Sequence, residues 1–200
     1  MAYPTVSAPY GFKPVNRLDG LPYAGATRQL KIASGYAANL FNGDLVSVVA
    51  AGVVEKFAGT TTGSPVGVFV GCSYTNPVTK QKQFSQYWPT GTVAADAVAY
   101  VVDDPNAVFK VVVTDGSSVM SSVQINAVGS NMSIIQGTGS TATGNSKVSV
   151  LNSSPNTTAT LPVRVIDVVP ETSFVSGGNT VYPELIVKLN THQYNNTTGV

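Results

Sequence analysis

The sequence predicts an all-β protein, a barrel or sandwich with an extended N-terminal arm and at most one or two short helices. Three observations carry this. Val fills 32 of the 200 positions and Thr 21, and both suit a pleated, half-buried surface. Helix formers other than Ala are scarce, with three Glu, three Arg and three Met. Short apolar runs recur with turn-forming residues between them, the spacing of a sandwich or barrel.

Residues 1–27 read as an extended arm. Pro4, Pro9, Pro14 and Pro22 punctuate it, with Tyr3, Tyr10, Phe12 and Tyr23 between them. Each proline fixes its own φ and biases the preceding residue away from helix. Such an arm either packs on another subunit or covers its own barrel.

Residues 28–189 read as a single β-rich domain. Arg28–Ile32 alternates, with Leu30 and Ile32 on one face. Asn42-Gly43-Asp44 is a turn signal. Leu45–Ala50 and Val53–Phe57 form a hairpin through Ala51-Gly52. Val66, Val68 and Val70 alternate with Gly67, Phe69 and Gly71, and glycines so dense in a strand imply close backbone packing or a bulge.

Further strands are expected at Gln83–Trp88, Val93–Val102 and Phe109–Val113, with turns at Asp103-Asp104-Pro105-Asn106 and Asp115-Gly116. Residues 117–128 fit a short helix, closed by Gly129, and also fit an alternating strand. Gly137–Lys147 is low-complexity and loop-like. Strands follow at Val148–Leu151, Leu161–Val169 and Val181–Leu189, and residues 190–200 form a polar tail.

The chain is poor in reactive chemistry. One Cys and one His cannot build a structural zinc site or an internal disulfide. A net charge of +1 without a Lys/Arg cluster gives no electrostatic footprint for nucleic acid. No targeting segment opens the chain, and no apolar run is long enough for a membrane span, so the expectation is a soluble protein made in the cytosol.

Cys72 ends an apolar strand, where a small buried thiol is ordinary. His192 lies in the polar tail and reads as a surface or interface residue. No Gly-x-Ser-x-Gly elbow or phosphate loop is present. Asp103 and Asp104 are adjacent, so in a strand they would point to opposite faces. As a carboxylate pair for glycan hydrolysis they are poorly placed, and as turn formers, or at most calcium ligands, they fit better. Asp96 and Asp115 are the nearest other acids. Tyr74, Phe84, Tyr87 and Trp88 cluster within fifteen residues. They read as a core or interface cluster, or alternatively as the platform of a glycan-binding module.

Several stretches, taken in order, resemble head proteins of tailed bacteriophages, especially aquatic ones. They are Pro9-Tyr-Gly-Phe-Lys-Pro-Val-Asn16, Arg28-Gln-Leu-Lys-Ile-Ala33, Asn42-Gly-Asp-Leu-Val46, Pro65-Val-Gly-Val-Phe-Val-Gly71, Phe84-Ser-Gln-Tyr-Trp-Pro89, Ala99-Tyr-Val-Val-Asp-Asp-Pro105 and Gly144-Asn-Ser146. The hairpin followed by a Val-Gly-Val strand is similar to small head-decoration proteins. The resemblance implies a non-enzymatic cement protein, made in the host cytoplasm and carried on the outer capsid surface. It implies a homotrimer that clamps neighbouring major capsid subunits, with no cofactor, metal, small-molecule substrate, membrane or direct nucleic-acid contact. On that reading Tyr3, Tyr10, Phe12, Tyr23, Trp88 and His192 lie at capsid or intersubunit interfaces.

Overall fold

The computed structural model describes residues 9–115, 127–152, 154–172, 182–197 and 199. The architecture is all-β, and no α-helix occurs among these residues. The helix or strand expected at 117–128 falls almost wholly outside them, as do Tyr3 and the start of the arm.

Among the described residues, fifteen strands form two curled sheets and a small ribbon. They are β1 (Lys13–Arg17), β2 (Arg28–Lys31), β3 (Leu40–Phe41), β4 (Leu45–Val48), β5 (Val54–Lys56), β6 (Gly67–Thr75), β7 (Lys82–Ser85) and β8 (Tyr87–Trp88). There follow β9 (Val98–Val102), β10 (Ala107–Thr114), β11 (Asn131–Met132), β12 (Ile134–Ile135), β13 (Ser149–Leu151), β14 (Val163–Val168) and β15 (Glu184–Leu189).

The first sheet has the order β2-β9-β6-β4-β5, with β7 paired to β6. A parallel bridge between Ile32, just past β2, and Val54 of β5 brings its two ends together. The result is a near-closed barrel filled by Ile32, Val46, Val54, Phe69, Cys72, Ala99 and Val101. Leu40 and Trp88 of the β3–β8 ribbon pack into the same core.

The second sheet runs β11-β14-β15-β10-β13-β12, with β1 also paired to β10. Its terminal strands β11 and β12 are separated by Ser133 alone, so this sheet also comes round on itself. Phe109, Val111, Val113, Val165, Leu185 and Val187 line its interior. Every second residue of a strand faces one way, and the barrels exploit this where they meet. Leu45, Val68 and Val102 lie on strands of the first barrel but join the second core, with Phe57 beside them.

Glycine in β6 has two local causes. A β-carbon on Gly67 would lie 2.1 Å from the Val102 carbonyl oxygen. The register against β9 shifts between Phe69 and Gly71, which leaves Val70 as the extra residue of a bulge. The bulge restores Cys72 to the face that Phe69 occupies.

The two barrels are pinned at Asn42-Gly43-Asp44. Asp44 is fully buried and accepts from the Phe41 N–H (2.9 Å) and the Ser146 hydroxyl (2.6 Å), with Lys56 Nζ at 3.4 Å. Gly43 accepts from the Phe12 N–H and donates to the Phe69 carbonyl. Its φ of +96° favours glycine, and any β-carbon there would lie 2.9 Å from the Tyr10 carbonyl oxygen. Asn42 donates to the Val70 carbonyl, bridges to Asn145 and accepts from Lys13 Nζ.

Several boundaries change, among them that of the strand expected at Val93–Val102, which begins at Val98. The arm expected at 1–27 is in part a sheet strand: β1 pairs antiparallel with β10, and Phe12 stacks edge-on against Phe109 at 6.3 Å. Pro14 is tolerated because β1 is short and bulged. The strand expected at 83–88 is two strands in different sheets, broken at Gln86. Phe12→Ala is expected to cost about 3–5 kcal/mol in urea denaturation, whereas a residue on a detachable arm would cost almost nothing. Asp44→Ala leaves three donors without their acceptor and should cost about 2–4 kcal/mol by the same measurement.

Candidate interaction surface

The side chains expected at interfaces divide sharply by burial. Phe12, Trp88 and His192 are 0% exposed within this chain. They belong to its own interior, which corrects their reading as interface anchors. Trp88 packs edge-on against Tyr74 at 5.3 Å, and its indole N–H donates to the Tyr36 carbonyl. With Tyr74 also buried and Tyr87 stacked on Phe41, the aromatic cluster offers no stacking platform; only Phe84 stands clear of the surface.

Tyr10 is half-buried, and its hydroxyl donates to Glu184 Oε1. Burial first, and then the bond and charge of Glu184, raise this phenol far above its ordinary range, so it remains a donor. Lys110 completes the group at 3.2 Å from Glu184. Tyr23 packs against the second core and donates to the Ala26 carbonyl. Around it, residues 18–29 are exposed, with Leu18 and Leu21 among them. Both sit at the tip of a narrow hairpin in which Arg17 N–H bonds Leu21 O and Asn16 bridges Pro22.

The polar tail expected from 190 onward lies against the body. The Gln193 carboxamide bonds both the N–H (3.0 Å) and the carbonyl (2.7 Å) of Val48. Thr191 donates to Gly63 O, and Asn196 to the Ser64 hydroxyl. A 3-10 turn spans Gln193–Asn195, and His192 Nδ1 caps it by accepting from the Tyr194 N–H at 3.1 Å. Burial lowers the imidazole's pKa, against weaker upward pulls from Asp103, the main chain of Val66 and Asp103, and Asp104.

Asp103 and Asp104 are engaged in ion pairs. Asp103 accepts from Arg28 Nε at 2.5 Å and from the Tyr194 hydroxyl at 2.9 Å. Asp104 meets Arg17 Nε at 3.2 Å and accepts from the Asn106 N–H, the turn role its position implied. Among the described residues no group of His, Cys, Asp and Glu could hold a metal ion. Cys72 is buried at 1% exposure, donates to the Tyr87 carbonyl, and has its thiol pushed up to about 12 by desolvation.

Among the exposed large apolar side chains, Val93, Val128 and Tyr194 lie outside the strands, and four others lie on hairpins. Val78 is 86% exposed in the β6–β7 turn, and Phe84 is 76% exposed on β7. Leu18 and Leu21 form the second such tip. Val78 was legible as an apolar residue inside the polar turn Asn76-Pro77-Val78-Thr79-Lys80, but a turn assignment alone gives it no role.

In comparisons with known proteins, no family model, no curated protein and no solved structure matches this chain.

The buried imidazole sets a pH dependence. Its folded pKa lies below the ordinary 6.5. The unfolded or undocked segment therefore binds more protons between those two values, and docking weakens as pH falls through that window. Protonation also removes the Nδ1 acceptor. Hydrogen exchange at the Tyr194 amide, corrected for intrinsic rates, should lose protection as pH falls below about 6.5. Constant protection would mean that the charged ring is accommodated.

Proposed function

We propose that the protein is a structural virion component that decorates the outer surface of a tailed-phage capsid. It stabilises the mature shell by bridging neighbouring major capsid subunits, and it acts as a homotrimer. The observation that carries this reading is the placement of large apolar side chains, Leu18, Leu21, Val78 and Phe84, on hairpins outside two filled cores. The ordered sequence resemblance to phage head proteins points the same way.

Such surfaces suit adhesion. An exposed Phe or Val contributes nothing to its own core, while burying it against a partner yields roughly 1.5–3 kcal/mol. A single contact of that size is weak. Repeated over a symmetric shell, with each protein held by several contacts, it becomes strong through effective concentration. Filled barrels hold the hairpins in fixed positions, so little order has to be created on binding.

The N-terminal arm needs a shorter truncation than its sequence limits indicate. Removing 2–14 would take away Phe12 and the start of β1. Removing 2–8 leaves both in place.

Purified chain added to expanded heads that lack it should bind at saturable sites on the outside, visible by electron cryomicroscopy at three-fold positions. Removal of 2–8 should lower occupancy, with the melting temperature measured as the control for the fold. A chain that neither binds heads nor occurs on the outer shell of virions would overturn the reading.

A further inference from the structure

We propose that the free edge of β7 is a docking edge, completed by an extended segment of the capsid subunit that carries a carboxylate side chain. This rests on the capsid reading and names the kind of segment the capsid supplies.

The edge follows from register. β7 pairs with β6 alone: Thr75↔Lys82, Tyr74↔Gln83, Ser73↔Phe84 and Cys72↔Ser85. Just beyond the ladder, the Asn76 N–H donates to the Gln81 carbonyl. Antiparallel pairs alternate between hydrogen-bonded and non-hydrogen-bonded. The bonded pairs are therefore Asn76–Gln81, Tyr74–Gln83 and Cys72–Ser85. The main-chain groups of Lys82 and Phe84 point the other way, out of the sheet. The Thr75 N–H, which bonds Asp96 Oδ1 at 3.0 Å instead of β7, confirms the alternation. Among the described residues no strand covers that outer edge.

An unpaired strand edge accepts an extended chain, because only that geometry satisfies successive N–H and C=O groups. The side chains select further. Phe84 provides an apolar contact on the exposed face for the residue opposite it. Lys80 and Lys82 provide positive charge at the start of the edge. Lys82 is shared with Asp96 at 2.8 Å, while the Lys80 ammonium has no ion-pair partner among the described residues. A carboxylate on the incoming segment fits that position.

Lys80 also carries the single positive φ of a non-glycine residue among the described residues, +60°. Its N–H bonds the Asn76 carbonyl in a conformation that glycine adopts without penalty. Glycine would make the better turn. A lysine held in strain at an exposed tip is accounted for when its charge is used in contact.

The test uses the full chain and expanded heads prepared without it. Lys80→Gly should melt at the same or a higher temperature yet bind heads at least roughly tenfold more weakly. Phe84→Thr should keep its fold and weaken binding similarly. On heads, the Lys82 and Phe84 amides of the wild-type chain should gain hydrogen-exchange protection. Wild-type binding with neither loss in the variants nor protection at these amides would overturn the docking edge and leave the capsid reading standing. Failure of the wild-type chain to bind heads, together with its absence from the outer shell of virions, would overturn both.

Discussion

The fold turns on one buried carboxylate. Asp44 sits where the two barrels touch, and a charge in that position is tolerated only while its hydrogen bonds are complete. Its partners come from three separate stretches: the Phe41 N–H from the β3 segment, the Ser146 hydroxyl from the long loop before β13, and Lys56 from β5. The adjoining Gly43 adds a fourth, through the Phe12 N–H. A single short turn thus sets the relative position of the arm, both sheets and the loop at 137–147. Two glycines of that loop answer a packing requirement: a β-carbon on Gly137 would lie 2.2 Å from the Lys147 carbonyl oxygen, and one on Gly139 2.2 Å from the Phe41 ring.

Around this pin, the barrels share strands rather than a separate interface. Phe69 and Val101 face one core while their neighbours Val68 and Val102 face the other. A strand used on both faces leaves little surface for polar side chains, which is why β6 is almost wholly buried. It also explains how so few charged residues suffice. Ion pairs such as Arg28–Asp103 and Lys82–Asp96 lie at strand ends.

Much of the β-architecture was legible because local chemistry and tertiary structure agree. The Ala51-Gly52 hairpin and the Asp103–Asn106 turn are each set by residues next to one another, and the glycines of β6 signalled a close approach whose partner, Val102, lies farther along the chain. Phe12 and His192 were misread for a common reason. Each lies among prolines or polar residues, and its burial depends on partners far along the chain: Phe109 for one, and the 63–66 loop and Asp103 for the other. Trp88 belongs to a two-residue strand, too short for any period to show. Phe84 lies on β7, which pairs with β6 alone, and no periodicity in sequence shows which face of so short an edge strand is outward.

The position of β10 has a consequence for how the molecule comes into being. Its neighbours are β1, β13 and β15, each far from it in sequence. Such distant pairings must close large loops before they yield any stabilisation, which slows folding. On the ribosome, Lys13–Arg17 emerges long before its strand partner β10, and β15 follows later still. The central sheet is therefore assembled only once β15 has emerged, and a nascent chain waits until then with its valine-rich strands uncovered.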